Sequence, residues 1–241
     1  MTTMLTIISL GLNAVLLAGA AAFVRRKGGW RFLKSRLAAR GVVKDAALEV
    51  LEDAYWRNKV ELFETFGVTG EDTVFLGDSL TDLCAWSELF GDARLKNRGI
   101  SGDTTAGVLK RLDGLVTGKP RRLFLMIGIN DINNGVPMEA IVENYRAIVA
   151  RLREGSPETT IYLQSVLPLD SFRWGVTAAE RILAFNAQIA GLDDGERVRY
   201  LDLHARFAED GRLAPACSYD GLHLNGEGYA RWKAAIAAHV G

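Results

Sequence analysis

The sequence predicts an α/β protein, a three-layer α/β/α sandwich built on a parallel sheet and set behind an N-terminal transmembrane or signal-anchor helix. Three observations predict it. Short apolar, β-rich runs alternate five times with helical patterns from residue 73 onward; those runs are close to continuously apolar; and residues 1–24 carry no charged side chain. Near-continuous apolar strands point to a parallel sheet covered on both faces by its crossover helices. With 241 residues, 49% hydrophobic and 24% charged, the chain can bury a core of ordinary size, which excludes a disordered, collagen-like or disulfide-framed class.

Met4–Val24 has only Thr6, Ser9 and Asn13 as clearly polar members. At a helical rise of about 1.5 Å per residue it spans roughly 30 Å, the thickness of a bilayer core. A cleaved signal peptide is the competing reading, because AGA and AAA triplets lie near its end; the leading MTT, however, has no basic residue. A buried or amphipathic core helix is a third. Residues 25–44 then hold Arg25, Arg26, Lys27, Arg31, Lys34, Arg36, Arg40 and Lys44 and no acid. Such a block favours anionic headgroups and, by the positive-inside rule, a cytoplasmic face for the domain beyond it, with an exported body as the alternative. The expected organisation is an anchor over 1–24, a basic juxtamembrane segment over 25–44 and one domain over 45–241. The 29 basic and 29 acidic residues balance, so subtracting this block leaves an acidic body, which argues against a nucleic-acid partner.

From residue 45 the pattern suggests an amphipathic helix to about residue 66. Strands are expected at 73–77, 93–99, 121–128, 159–167 and 198–203, with helices near 82–90, 104–116, 137–154, 178–192 and 226–240. In an open parallel sheet, ligands bind beyond the carboxyl ends of the strands. The segments after the strands are therefore the informative ones: Gly77-Asp78-Ser79-Leu80, Asn97 to Asp103, and Gly128-Ile129-Asn130-Asp131, joined near the end by Ser218 to Asn225.

Ser79 falls at a strand-to-helix turn, where a hydroxyl protrudes; it needs a base to become a nucleophile. Of the three histidines, His204, His223 and His239, the second is the best base, because Asp220 lies three residues earlier to fix its tautomer. Oxyanion donors are available from the Gly99 N–H, the Asn130 side-chain amide and the Ser79 N–H. Taken singly these are commonplace: a capped turn, a turn glycine, an Asx loop. Asp78 and Asp131 are expected to bond nearby backbone amides, His204 to pack or lie at the surface, and His239 to be solvated. Cys84 and Cys217 make no CxxC or zinc pattern; two buried free thiols are expected over a disulfide.

In this order, FLGDSLTD, NRGISGDTT, MIGINDI and YDGLHLN resemble the four blocks of the SGNH/GDSL hydrolase family, over residues 75–225. The second block especially resembles thioesterase/lysophospholipase-type and platelet-activating-factor acetylhydrolase-like members. The resemblance implies a flavodoxin-like five-stranded α/β/α fold, Ser79 as nucleophile, Asp220 and His223 as acid and base, and Ser79, Gly99 and Asn130 as the oxyanion hole, with no cofactor and no metal. It implies a serine esterase working through an acyl-enzyme. The membrane-proximal segment favours a lysophospholipid or another short- to medium-chain acyl ester, with a carbohydrate O-acetylesterase, an acyl-thioester hydrolase or a non-catalytic tethered binding module as alternatives. Trp86, Phe172 and Trp174 are candidates to line the substrate pocket, although core packing is the commoner fate of a tryptophan.

Overall fold

A computed structural model describes residues 53–240. The anchor and basic-segment expectations for residues 1–44 lie outside the described residues. Among those described, no helix is long and apolar enough to cross a membrane.

Five parallel strands form the sheet: β1 (Thr73–Gly77), β2 (Leu95–Gly99), β3 (Arg122–Met126), β4 (Thr160–Gln164) and β5 (Val198–Leu201), in the order β2-β1-β3-β4-β5. The chain leaves β1 for one edge and then returns past it to β3, so the order reverses beside β1, and a crevice opens at the carboxyl ends of β1 and β3. Register brings three loops level, since Gly77 pairs with Gly99 on one side and with Met126 on the other.

The central strands β1, β3 and β4 are covered on both faces because their residues alternate in direction and are mostly apolar, while the edge strands β2 (LKNRG) and β5 (VRYL) carry half-buried or exposed polar residues. Val74, Leu76, Leu123 and Leu125 pack under helices Thr105–Lys110, Asp113–Gly118, Met138–Gly155 and Val176–Ala190. Phe75, Phe124 and Met126 point the other way, against Trp86 and the last helix, Gly226–Val240, through Trp232 and Ile236. That second layer is a slab of rings. Phe75 stacks on Trp86 with centroids 3.8 Å apart and on Phe124 at 5.0 Å, and Trp86 meets Trp232 edge-on at 5.0 Å.

The helix expected near 82–90 is two pieces, Ser79–Asp82 and Trp86–Phe90. Asn97, on the neighbouring strand, explains the break. Its Nδ2 lies within 2.9–3.0 Å of the carbonyls of Thr81, Asp82 and Cys84, and the Trp86 indole also donates to Thr81 O. Carbonyls held by side chains are not free to continue a helix. The helix expected over 104–116 breaks at Arg111, whose guanidinium turns inward to Asp103 Oδ2 at 2.8 Å, Arg98 O and Gly77 O. At the amino end of the described chain, residues 53–66 are helical, and there Phe63 lies beneath the guanidinium groups of Arg98 and Arg111.

Candidate active site

Ser79 opens the short helix after β1. Asp78 caps it, its Oδ1 accepting from the Leu80 N–H at 3.1 Å, so the turn is held from within and the Ser79 side chain is left half-buried at the crevice. Its Oγ lies 3.0 Å from His223 Nε2.

His223 comes from the loop before the last helix. That loop is closed at its base by a bridge between Ser218 and Leu224 and by the Ser218 hydroxyl, which donates to His223 O at 2.7 Å. Asp220 Oδ2 sits 2.7 Å from His223 Nδ1, while Oδ1 accepts from the Leu222 and His223 N–H groups at 2.9 and 2.8 Å. A carboxylate at Nδ1 selects the Nδ1–H tautomer and leaves Nε2 bare to accept from Ser79. Partial burial pushes the Asp220 pKa up, but the hydrogen bonds from the His223 ring and from the two backbone amides outweigh it and bring it down to about 2. Asp220 is therefore ionised at any pH at which the site would work.

The structure brings Ser79, His223 and Asp220 into one chain of contacts across 144 residues of sequence separation. Asn130 lies on the helix after β3 (Ile129–Asn133), in the loop level with that of Ser79 by sheet register. It is half-buried, and its Nδ2 donates to Asp103 O at 2.8 Å, which orients the amide and leaves its second N–H available.

Gly99 does not join them, and here the structure corrects the sequence reading. Gly99 is buried and its N–H donates to the Asn97 side chain at 2.8 Å. Its lack of a side chain serves packing: a Cβ there would fall 2.2 Å from Asp82 N. Gly102, three residues on, is exposed in the turn after β2 with φ of +81°. Among the described residues no hydrogen bond is made by its N–H, and the next residue, Asp103, supplies the carbonyl that holds Asn130. The string NRGISGDTT carries no signal for this, because residue type does not say which backbone N–H is left without a partner.

Beneath the loops lies a support that sequence reading also missed. Asp103 accepts from Arg111 and, at 3.1 Å, from the Trp56 indole; Asp82 accepts from the Ser101 N–H and hydroxyl at 3.0 and 2.8 Å. Asp131 does not cap its own turn. It reaches to Thr105, accepting from N–H at 2.9 Å and Oγ1 at 2.7 Å, and so ties the loop after β3 to the helix after β2, Thr105–Lys110. Asp78 is fully buried, with Oδ2 unpartnered, and burial together with the nearby Asp103 and Asp131 carboxylates pushes its pKa up to about 7.

Of the candidate pocket residues, Trp86 is 1% exposed, sealed in the ring slab, and presents no face to the crevice. Phe172 (82% exposed) and Trp174 (41%) lie on the helix Ser171–Trp174, and the Trp174 indole donates to Asp220 O at 3.1 Å. His204 is half-buried, its N–H donating to Ser165 Oγ. His239 is half-buried against Tyr162, where solvent exposure was expected, because the last turn of the final helix still lies on the sheet. Cys84 and Cys217 are buried and free, and burial holds the Cys84 thiol up at about 12. Among the described residues no group of three or more His, Cys, Asp or Glu side chains is placed to hold a metal ion.

Residues 75–231 match the model of the GDSL-like lipase/acylhydrolase family. Human platelet-activating factor acetylhydrolase IB subunit alpha1 is 31% identical over 167 residues, covering 66% of this chain and 70% of its own; the rat alpha2 subunit is 29% identical over 201 residues, covering 78% and 85%. A solved structure from Streptococcus pneumoniae, described as a platelet activating factor protein, superposes with a TM-score of 0.72 at 26% identity, covering 82% of this chain and 99% of that one.

Proposed function

Because the chain belongs to the GDSL-like lipase/acylhydrolase family and is therefore a carboxylic ester hydrolase, we propose that it cleaves lysophospholipids or other short- to medium-chain acyl esters through a Ser79–His223–Asp220 triad and an acyl-enzyme. The observation that carries this reading is the unbroken contact from Asp220 Oδ2 through the His223 ring to Ser79 Oγ, at 2.7 and 3.0 Å.

In this mechanism Ser79 Oγ attacks the ester carbonyl as His223 Nε2 takes its proton. The ionised Asp220 stabilises the imidazolium that forms. The carbonyl oxygen becomes an oxyanion, received by the Ser79 N–H, the free N–H of the Asn130 amide and the Gly102 N–H, which replaces Gly99 in this role. His223 returns the proton to the leaving alcohol. A water then repeats the sequence on the acyl-enzyme and frees the acid. The relatives are named for hydrolysing an acetyl group, which favours the short end of the chain range. Phe172 and Trp174, exposed beside the Asp220 loop, supply apolar surface for the acyl or alcohol portion.

The uncharged residues 1–24 and basic residues 25–44 support a membrane-anchored enzyme with its catalytic domain on the cytoplasmic side, the exported orientation being the alternative. Fractionation of cells expressing the full chain, with protease protection, tests both.

The test of function is hydrolysis of p-nitrophenyl acetate, butyrate, octanoate and palmitate by the full chain beside Ser79→Ala. Serine-dependent turnover favouring acetate to octanoate is expected. A strict acetate preference, accompanied by release of acetate from an acetylated polysaccharide, would move the reading to a carbohydrate O-acetylesterase. Turnover that survives Ser79→Ala would overturn the triad.

A further inference from the structure

The loop that carries Asp220 has a well-anchored base and an exposed tip. The bridge between Ser218 and Leu224 fixes the base. Tyr219 and Asp220, at the tip, are exposed. The tip is nevertheless held, by a segment that enters from the far side of the loop after β4. Asp170 N–H donates to Gly221 O at 2.8 Å, Trp174 Nε1 donates to Asp220 O at 3.1 Å, and Arg173 Nη1 donates to Tyr219 O at 3.0 Å. Three residues of this five-residue segment thus hold three consecutive carbonyls, centred on Asp220.

The segment is itself braced for this. Asp170 Oδ1 caps the helix Ser171–Trp174 by accepting from the Phe172 N–H. The same carboxylate lies 3.6 Å from Arg173 Nε and 3.8 Å from Arg212 Nη1, and the Arg212 guanidinium sits 4.4 Å from the centre of the Phe172 ring. Among the described residues, no hydrogen bond or ion pair joins these side chains to Ser79 or His223.

We propose that the Asp170–Trp174 arm is a positioning element for the triad, with Arg173 and Trp174 holding the peptide units on either side of Asp220 so that its carboxylate stays in register with His223 Nδ1. The inference rests on the triad reading above. Two carbonyls flanking a residue, once fixed, fix the plane of both its peptide groups and hence the direction of its side chain. The arm thereby supports the triad from behind, holding the backbone on which the Asp220 carboxylate is carried. Releasing the tip leaves substrate binding intact and degrades the geometry in which the imidazolium is stabilised, so the loss belongs in kcat rather than KM.

Trp174→Phe keeps the ring and deletes the donor; Arg173→Met keeps the stem and deletes its donors; Arg173→Lys restores one. With the full chain and p-nitrophenyl acetate, an ester too small to depend on aromatic surface at the rim, each of the first two variants is expected to lower kcat about tenfold with KM within about twofold. Arg173→Lys should recover most of the loss, and thermal midpoints should stay near that of the parent. A Trp174→Phe variant that fails to fold leaves the Arg173 pair to decide. Unchanged kcat in both donor deletions, or a rise in KM at constant kcat, overturns the inference while Ser79-dependent turnover persists. Turnover that persists in Ser79→Ala would instead overturn the triad reading, and this inference with it.

Discussion

At the scale of the residue, the oxyanion side chain at the crevice divides its two N–H groups between the scaffold and the substrate. Asn130 shows the division: one N–H goes to Asp103 O and the other remains. Asn130→Ala should therefore lower kcat roughly 100-fold, the usual effect of deleting one preorganised oxyanion donor, with little change in the KM of p-nitrophenyl esters or in thermal midpoint. An unchanged kcat would remove Asn130 from the mechanism. The two glycines of the second block should separate in the opposite sense. Gly99→Ala drives a Cβ to 2.2 Å from Asp82 N and should lower the thermal midpoint, whereas at Gly102 a Cβ meets no atom within 4 Å and only the positive φ opposes it. The left-handed φ makes an alanine at Gly102 costly too, so it is an equal or larger loss in Gly102→Ala than in Gly99→Ala that would contradict that division. Which glycine does which was not legible in the string NRGISGDTT, because residue type says nothing about where a backbone N–H points. Ser79, Asp220, His223 and Asn130 were legible because their positions after strands and the Asp-x-x-His spacing are local features. Trp86 was misread for the complementary reason: its distance from Ser79 along the chain suggests proximity to the crevice, but the short helix between them turns the indole into the slab around Phe75.

At the scale of the element, β1, β3 and β4 were readable because a central parallel strand covered on both faces is mostly apolar, whereas the edge strands β2 (LKNRG) and β5 (VRYL) were readable from their regular spacing between helical patterns. The helix breaks were not readable, because side chains from other elements impose them. Asn97 is the clearest case: its Nδ2 sits against three carbonyls between the two short helices, and its Oδ1 accepts the Gly99 N–H. Asn97→Ala would strand several partly buried backbone groups at once and should destabilise by about 3 kcal/mol, at about 1–3 kcal/mol per unsatisfied group with partial rescue by water. Chemical denaturation would register this as a lower midpoint with an unchanged slope. A midpoint equal to that of the parent would mean the break is held by Trp86 alone. The short helices that carry Asn130 and Trp174, five and four residues long, leave no periodic signal of their own, which is why the sequence showed the chemistry of those loops but not their form.

At the scale of the whole molecule, the buried carboxylates beneath the crevice set a pH dependence of stability. Asp78, raised from 3.8 to about 7 by burial and by Asp103 and Asp131, binds a proton in the folded state across a window in which the unfolded chain has released it. Stability is then fully present below the unfolded value and falls as pH rises toward 7, by up to about 1.4 kcal/mol per pH unit from this group. Asp131, also raised by burial, adds to the same slope. Asp220 acts in the opposite sense: lowered to about 2, it contributes stability that is present above 3.8 and is lost only in stronger acid. These buried acids should therefore cost the fold stability as pH rises toward 7, against the opposite contribution of His204, whose imidazole burial holds below its ordinary value. Asp78→Asn can still accept from the Leu80 N–H, and it removes the charge that burial opposes. Its thermal midpoint should exceed that of the parent at pH 8 and differ little at pH 4, so that the gap between the two proteins opens as pH rises. Midpoints measured by calorimetry at pH 4, 6 and 8 decide the matter. A gap independent of pH would mean that Asp78 stays ionised throughout, its charge held by the Leu80 amide and the field of Arg111, and the cost of the buried acid would then be borne at every pH.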